Sequence, residues 1–204
     1  MIISHEKKFI YIATPKTGTT SIHHHLKKYN SIRCNGNFKS KYFLHANTET
    51  AFGILTEAYL NPKDYFIFSC TRNPWERCVS EYFFICKRFQ EPKRKLLRKY
   101  YNQNLPSFEQ WIIEYNANSY FPAHDSCQVD VIQPHLTSTT MRFENLQEDF
   151  NIICDKIGIP RQKLPHRNKI NHKHYTEYYD EETKEIVAEK YAKDIEYFGY
   201  EFGE

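Results

Sequence analysis

Glycine, long apolar runs and a dominant charge sign are all lacking here, and each absence narrows the field. With only 6 glycines in 204 residues, beside 40% hydrophobic and 16% aromatic residues, the chain reads as globular rather than disordered. No window approaches the roughly 20 apolar residues of a membrane span. The opening MIISHEKK passes into a strand-like run too short for the apolar region and cleavage site of a signal peptide. The cysteines, Cys34, Cys70, Cys78, Cys86, Cys127 and Cys154, form no CxxC pair and no cluster. They read as reduced, mostly buried thiols, and the expected localisation is cytoplasmic. A net charge of +3 sets up no global field, so nucleic acid is not an expected partner.

At 204 residues the chain fits one domain, residues 1–204, that buries roughly 70% of its unfolded surface. Phe9 to Thr14 reads as a buried strand, a Pro-Lys-Thr-Gly loop follows, and a helical pattern runs from about Thr19 to Tyr29. Tyr65 to Thr71 repeats the strand. Asn73 as cap and Pro74 at the first helical position then start a second helix. Further on come a helix capped by Ser107, a short strand from Thr139 to Phe143, a helix closed by Gly158 and Pro160, and a last helix from Asp180 to about Phe198. Strands alternating with helices imply an α/β, P-loop-like three-layer fold: a central, mainly parallel sheet flanked by helices, with ligands at the carboxyl ends of the strands.

A Walker A loop is also lacking, although the chain comes close to one. That motif places Lys directly after its last Gly. Here the frame runs from Ala13 to Gly18, the lysine sits inside it at Lys16, and Thr19 and Thr20 follow the glycine. A strand entering a helix start still aims backbone N–H groups and the helix dipole at one point, so Pro15 to Thr20 is a sensible anion site, against the plainer reading of a simple turn. Nor does the second strand end in the acidic residue a nucleotide triphosphatase uses for magnesium; SCTRNPWERCVS puts Arg72 there. An arginine fork suits a bare phosphate. Ser80 follows Asn73 by two helical turns, about 10 Å along the axis, so one phosphate reaches both Arg72 and Ser80 only from beside this helix.

PKTGTTS (Pro15 to Ser21) and RNPWERCVSEY (Arg72 to Tyr82) together resemble the two cofactor motifs of sulfotransferases that use 3'-phosphoadenosine 5'-phosphosulfate (PAPS). HDSCQ, with His124 and Gln128, is similar to a His-x-x-Pro-Gln pattern of the carbohydrate branch, sulfotransferase family 2, with Cys127 replacing the Pro. MRFENLQEDF and the tail from Leu164 to Phe202 extend the likeness over most of the chain. The resemblance implies a PAPS-dependent enzyme needing no metal. Pro15, Lys16, Thr17, Gly18, Thr19 and Thr20 would cradle the 5' phosphosulfate, and Arg72 and Ser80 would grip the 3' phosphate. It also implies a carbohydrate or glycolipid hydroxyl as acceptor.

Sulfuryl transfer needs an aligned hydroxyl, a base, and a cation for the departing phosphate. Lys16 fits the leaving-group side. His45, between the two cofactor motifs, is a base candidate because neutral imidazole titrates near operating pH; a structural histidine capping the helix after Asn47 is the alternative. His124 is the rival base or substrate contact, ahead of Glu57 and Glu144. The run His23, His24, His25 cannot converge on one metal, since consecutive helical residues point about 100° apart. Arg167, Lys169 and Lys173, among His166, His172 and His174, would close over the donor nucleotide. Trp75 and Phe143 would line an adenine pocket or fill the core. From Lys87 to Lys99, seven basic residues against one Glu form either a solvated face or a strip for an acidic acceptor. A P-loop small-molecule kinase and a noncatalytic binder of nucleotide or acidic polymer remain the rival functions. Peripheral membrane contact and oligomeric state stay open.

Overall fold

The computed structural model describes residues 1–31, 45–115, 120–165 and 173–204, the side chains of Tyr115, Pro122 and Ala123 excepted. In chain order the elements begin with strands β1 (Ile2–Ser4) and β2 (Phe9–Ile12), then helices α1 (Thr19–Leu26) and α2 (Thr48–Glu57) and strand β3 (Phe66–Thr71). Helices α3 (Pro74–Phe89), α4 (Lys95–Tyr100), α5 (Phe108–Tyr115), α6 (Pro122–Asp125) and α7 (Gln128–Ile132) come next. Strand β4 (Thr139–Arg142) and helices α8 (Leu146–Lys156), α9 (Glu181–Lys190) and α10 (Ala192–Phe198) complete the order. No helix among the described residues is long and apolar enough to cross a membrane.

Local chemistry explains most boundaries. The Asn47 side chain accepts from the Thr50 amide at 3.0 Å and so starts α2. Asn73 accepts from the Trp75 amide at 3.1 Å, with Pro74 at the first turn of α3. The Ser107 hydroxyl accepts from the Gln110 amide at 3.2 Å while Gln110 accepts from the Ser107 amide at 3.1 Å, a reciprocal cap for α5. Asp180 and Thr183 form a capping box on α9.

Two expected helices differ in extent. The first ends at Leu26 and tightens into a 3-10 turn at Lys27–Tyr29. The last is two helices, because Tyr191 leaves helical geometry (φ −109°, ψ 26°) where its buried ring lies 4.5 Å from the Arg77 guanidinium carbon.

The strands lie in the order β1-β2-β3-β4, β1 antiparallel to β2 and the other neighbours parallel. The sheet is thus mainly parallel, as expected, with an antiparallel edge the sequence did not suggest. Contacts group the chain into two compact units, Met1–Arg72 with Gln128–Asn168, and Asn73–Cys127 with Lys169–Glu204.

The first unit holds the sheet between two helical layers. Alternation along the strands sends Phe9, Tyr11, Phe68, Cys70 and Met141 to one face, against Ile22 and Leu26 of α1 and Phe150, Ile153 and Cys154 of α8. Ile10, Ile12 and Ile67 face the other way, onto Ala51 and Leu55 of α2 and Val131 of α7. The second unit has its own core of Trp75, Val79, Ile85, Trp111, Ile112 and Val187. Inside it, buried Arg77 donates to the Ser126 carbonyl from both terminal nitrogens, at 3.1 and 3.2 Å, and lies 3.8 Å from the buried Asp194 carboxylate. The described cysteines are free thiols; Cys34 lies outside the described residues.

Phe150 is fully buried and meets the His25 ring edge-on at 5.2 Å. Phe150→Ala should therefore lower unfolding free energy by about 3–5 kcal/mol in urea denaturation; a loss below about 1 kcal/mol would show that α8 is not fixed to the sheet through this ring.

Candidate functional site

The turn between β2 and α1 is built around the Thr14 carbonyl. It accepts from the hydroxyls of Thr17 at 2.9 Å and Thr19 at 2.7 Å. This engagement draws Thr14 into the loop, so the strand ends at Ile12 rather than at Thr14 as expected. Ser69 of β3 donates to the Ile12 carbonyl at 2.8 Å, and since a hydroxyl carries one proton, Thr14 is the donor in the 2.9 Å Thr14–Ser69 contact. The root of the loop is thereby tied to the neighbouring strand.

Lys16 (φ 66°) and Gly18 (φ 74°) both adopt left-handed backbone. At Gly18 a Cβ would lie 2.7 Å from Leu146 Cδ2 and 3.3 Å from the Phe143 ring, so the position requires glycine on two grounds. Thr17 and Thr19 direct their hydroxyl protons at Thr14. The donors of this loop suited to an anion are therefore backbone amides and the Lys16 and Thr20 side chains, at the start of α1, where the Ser21 and Ile22 amides are already given to the Gly18 carbonyl at 2.9 and 3.2 Å. Pro15 is buried, Lys16 half-buried and Thr20 exposed.

Arg72, at the end of β3, is 6% exposed and donates from Nη1 to the Lys16 carbonyl at 3.0 Å. Its guanidinium carbon stacks 4.0 Å above the centre of the Phe143 ring. Phe143 also packs against the first core, so it acts as a core residue and an arginine shelf. Trp75 is 5% exposed in the second core and donates to the Lys184 carbonyl, a core role as well. Cys70, one position before Thr71 on β3, is fully buried, and burial pushes its thiol well above the usual range, so it stays protonated and unreactive.

His45 Nδ1 lies 2.8 Å from the Ala13 carbonyl, beside the loop. A carbonyl only accepts, so Nδ1 carries the proton and the neutral ring's lone pair is on Nε2, the arrangement a base requires. The cap of α2 is Asn47, not this histidine. His23 and His25, by contrast, are both held below the ordinary histidine value by burial, His23 beside Met1 and His25 against Phe150.

Ser80 and His124 belong to the second unit. Ser80 is half-buried on α3. His124 Nδ1 lies 2.7 Å from Oε2 of buried Glu81, and its ring stacks on Phe121 at 5.4 Å. Within the basic run, Arg88, Lys93 and Arg94 all pair with Glu91, at 3.0, 3.8 and 3.4 Å, while Arg98 donates to the carbonyls of Phe89, Glu91 and Pro92. Its arginines are turned largely upon their own segment, leaving Lys87, Lys95 and Lys99 as its other exposed cations. Exposed Lys173 pairs with Glu177 at 3.3 Å. Arg167, Lys169, His166 and His172 lie outside the described residues.

In the sequence Gln128 stands only as the last residue of the HDSCQ pattern. Its side chain, fully buried, accepts from the Arg72 amide and donates to the Arg72 carbonyl, both at 2.9 Å. A lone glutamine carries no sequence signal for such a contact.

These features define a three-layer α/β protein with a P-loop-like turn facing an arginine at the next strand end. The chain belongs to the Sulfotransferase family, whose model (Sulfotransfer_2) matches residues 1–201. Membership makes sulfotransfer its reaction and implies a sulfonate donor and an acceptor substrate. Among solved structures it is similar to a sulfotransferase from Alicyclobacillus acidocaldarius, at 14% identity over 96% of each chain and a TM-score of 0.41. Comparison with curated proteins yields no match.

Gly18→Ala should strain the loop and push on Phe143 and Leu146, weakening anion binding on the order of tenfold or more. Adding Leu146→Ala should recover part of that loss in calorimetric titration. No recovery would mean the left-handed backbone alone, not the 2.7 Å approach, demands glycine.

Proposed function

We propose that this sulfotransferase moves the sulfuryl group of PAPS to a hydroxyl of a carbohydrate or glycolipid acceptor by in-line transfer, and that residues 1–204 act as one sulfotransferase domain. The family model's run through both units supports that last reading. The observation that carries the donor assignment is the Arg72 bond to the Lys16 carbonyl, which joins the end of β3 to the loop and so supports a shared role for the two motifs.

In this reading the loop from Pro15 to Thr20 holds the phosphosulfate through its amides, while Arg72 and Ser80 take the 3' phosphate. Arg167, Lys169 and Lys173 close over the nucleotide. The acceptor oxygen bonds to sulfur as the bond from sulfur to the 5' phosphate oxygen breaks. Lys16 stabilises the charge on the departing phosphate, and adenosine 3',5'-bisphosphate leaves. His45 Nε2 takes the acceptor proton, an assignment supported by the Ala13 contact at Nδ1. His124 is the alternative base, oriented by Glu81. The exposed lysines of the Lys87 to Lys99 run favour an acidic acceptor, and the free thiols of the described residues favour a cytoplasmic setting.

Titration with adenosine 3',5'-bisphosphate and, separately, with ATP plus magnesium tests the donor. The bisphosphate should bind without metal and lose roughly 10- to 100-fold in Arg72→Ala; preference for magnesium-ATP would instead support a kinase. In transfer of labelled sulfate to a glycan panel, His45→Ala should lower kcat by about 10² to 10⁴. Binding without labelling of any acceptor would point to a noncatalytic binder.

A further inference from the structure

The sheet stops one residue before Arg72. Thr71 still pairs with Arg142 of β4, and beyond it the Arg72 peptide groups leave the ladder. They are nevertheless buried, and a buried N–H or C=O left unpaired costs about 1–3 kcal/mol. Gln128, the first residue of α7, meets both: Oε1 accepts from the Arg72 amide and Nε2 donates to the Arg72 carbonyl, each at 2.9 Å, with Gln128 wholly shielded from water. A primary amide is among the few side chains with an acceptor and a donor side by side, so it stands in for the peptide of a neighbouring strand.

The consequence falls on the guanidinium. With the Arg72 backbone held at both polar groups, its side chain runs to the Lys16 carbonyl over the face of Phe143. The geometry points to Gln128 as a positioning residue that fixes the direction from which Arg72 addresses the anion loop. This inference rests on the donor site proposed above. In this role Gln128 acts through Arg72.

A double-mutant cycle tests it, with adenosine 3',5'-bisphosphate and inorganic pyrophosphate as parallel probes on Gln128→Met, Arg72→Ala and the pair. Gln128→Met should weaken bisphosphate binding on the order of tenfold in the otherwise native chain. In the Arg72→Ala background it should change binding by less than about twofold, because the group it positions is gone. Equal losses in both backgrounds overturn the proposal. If wild-type protein ignores the bisphosphate yet pyrophosphate binding shows the same non-additivity, the clamp stands and the nucleotide donor falls; binding of neither probe by the wild type overturns both.

Should Gln128→Met fail to fold, Gln128→Glu gives an independent readout. A protonated carboxyl restores one donor and one acceptor, whereas a carboxylate faces the Arg72 carbonyl with no proton to donate. A buried carboxyl takes up its proton nearer neutrality than an exposed one. The ratio of Gln128→Glu to wild-type affinity should therefore recover as pH falls from about 8 to about 5.5, and a ratio independent of pH overturns the clamp.

Discussion

The hydrogen bond from Arg72 to the Lys16 carbonyl is the contact on which the site depends. Lys16 sits in a left-handed turn that an L-residue adopts at a cost, and the loop persists because its carbonyls are engaged: that of Lys16 by Arg72, that of Thr14 by two threonine hydroxyls. In a planar trans peptide the N–H points opposite the C=O. Holding the Lys16 carbonyl against Arg72 thus turns the Thr17 amide the other way. The same contact brings a second positive charge to the turn where a nucleotide triphosphatase would place a magnesium-holding carboxylate.

Support for this contact comes from several elements of the first unit. Phe143, just past β4, lies under the guanidinium and against Gly18, so one ring sets the height of both. Gln128 holds the Arg72 backbone from α7, and Ser69 ties the loop root to β3. Phe143, Gln128 and Ser69, the groups that support the contact, are all uncharged. The second unit is organised differently, around a buried arginine. Arg77 holds the Ser126 carbonyl and Asp194, and the His124–Glu81 pair lies on the same framework of α3 and the segment before α7.

Features carried by short-range chemistry were legible in the sequence. Asn73 with Pro74 announces α3, Ser107 announces α5, and the apolar runs Phe9 to Thr14 and Tyr65 to Thr71 announce buried strands. The turn at Gly18 was readable for the same reason. The edge strand Ile2–Ser4 was not, because three residues are too few for a period. The break at Tyr191 falls where its ring meets a guanidinium more than a hundred positions earlier in the chain. The basic run shows as charge in the sequence, yet whether each arginine faces outward or bonds to Glu91 and nearby carbonyls is settled by a turn's shape, not by composition.

By itself, then, the order of residues determined the α/β plan, the glycine loop with the Arg72 strand end, and the family, since each rests on neighbours along the chain. Tertiary structure alone decided that Lys16 and Arg72, 56 positions apart, share a hydrogen bond, that a distant glutamine completes the end of β3, and that Thr17 and Thr19 turn their hydroxyls inward. The reason is that a buried polar group takes whatever partner the packed fold brings within about 3 Å, and sequence distance has no bearing on that choice.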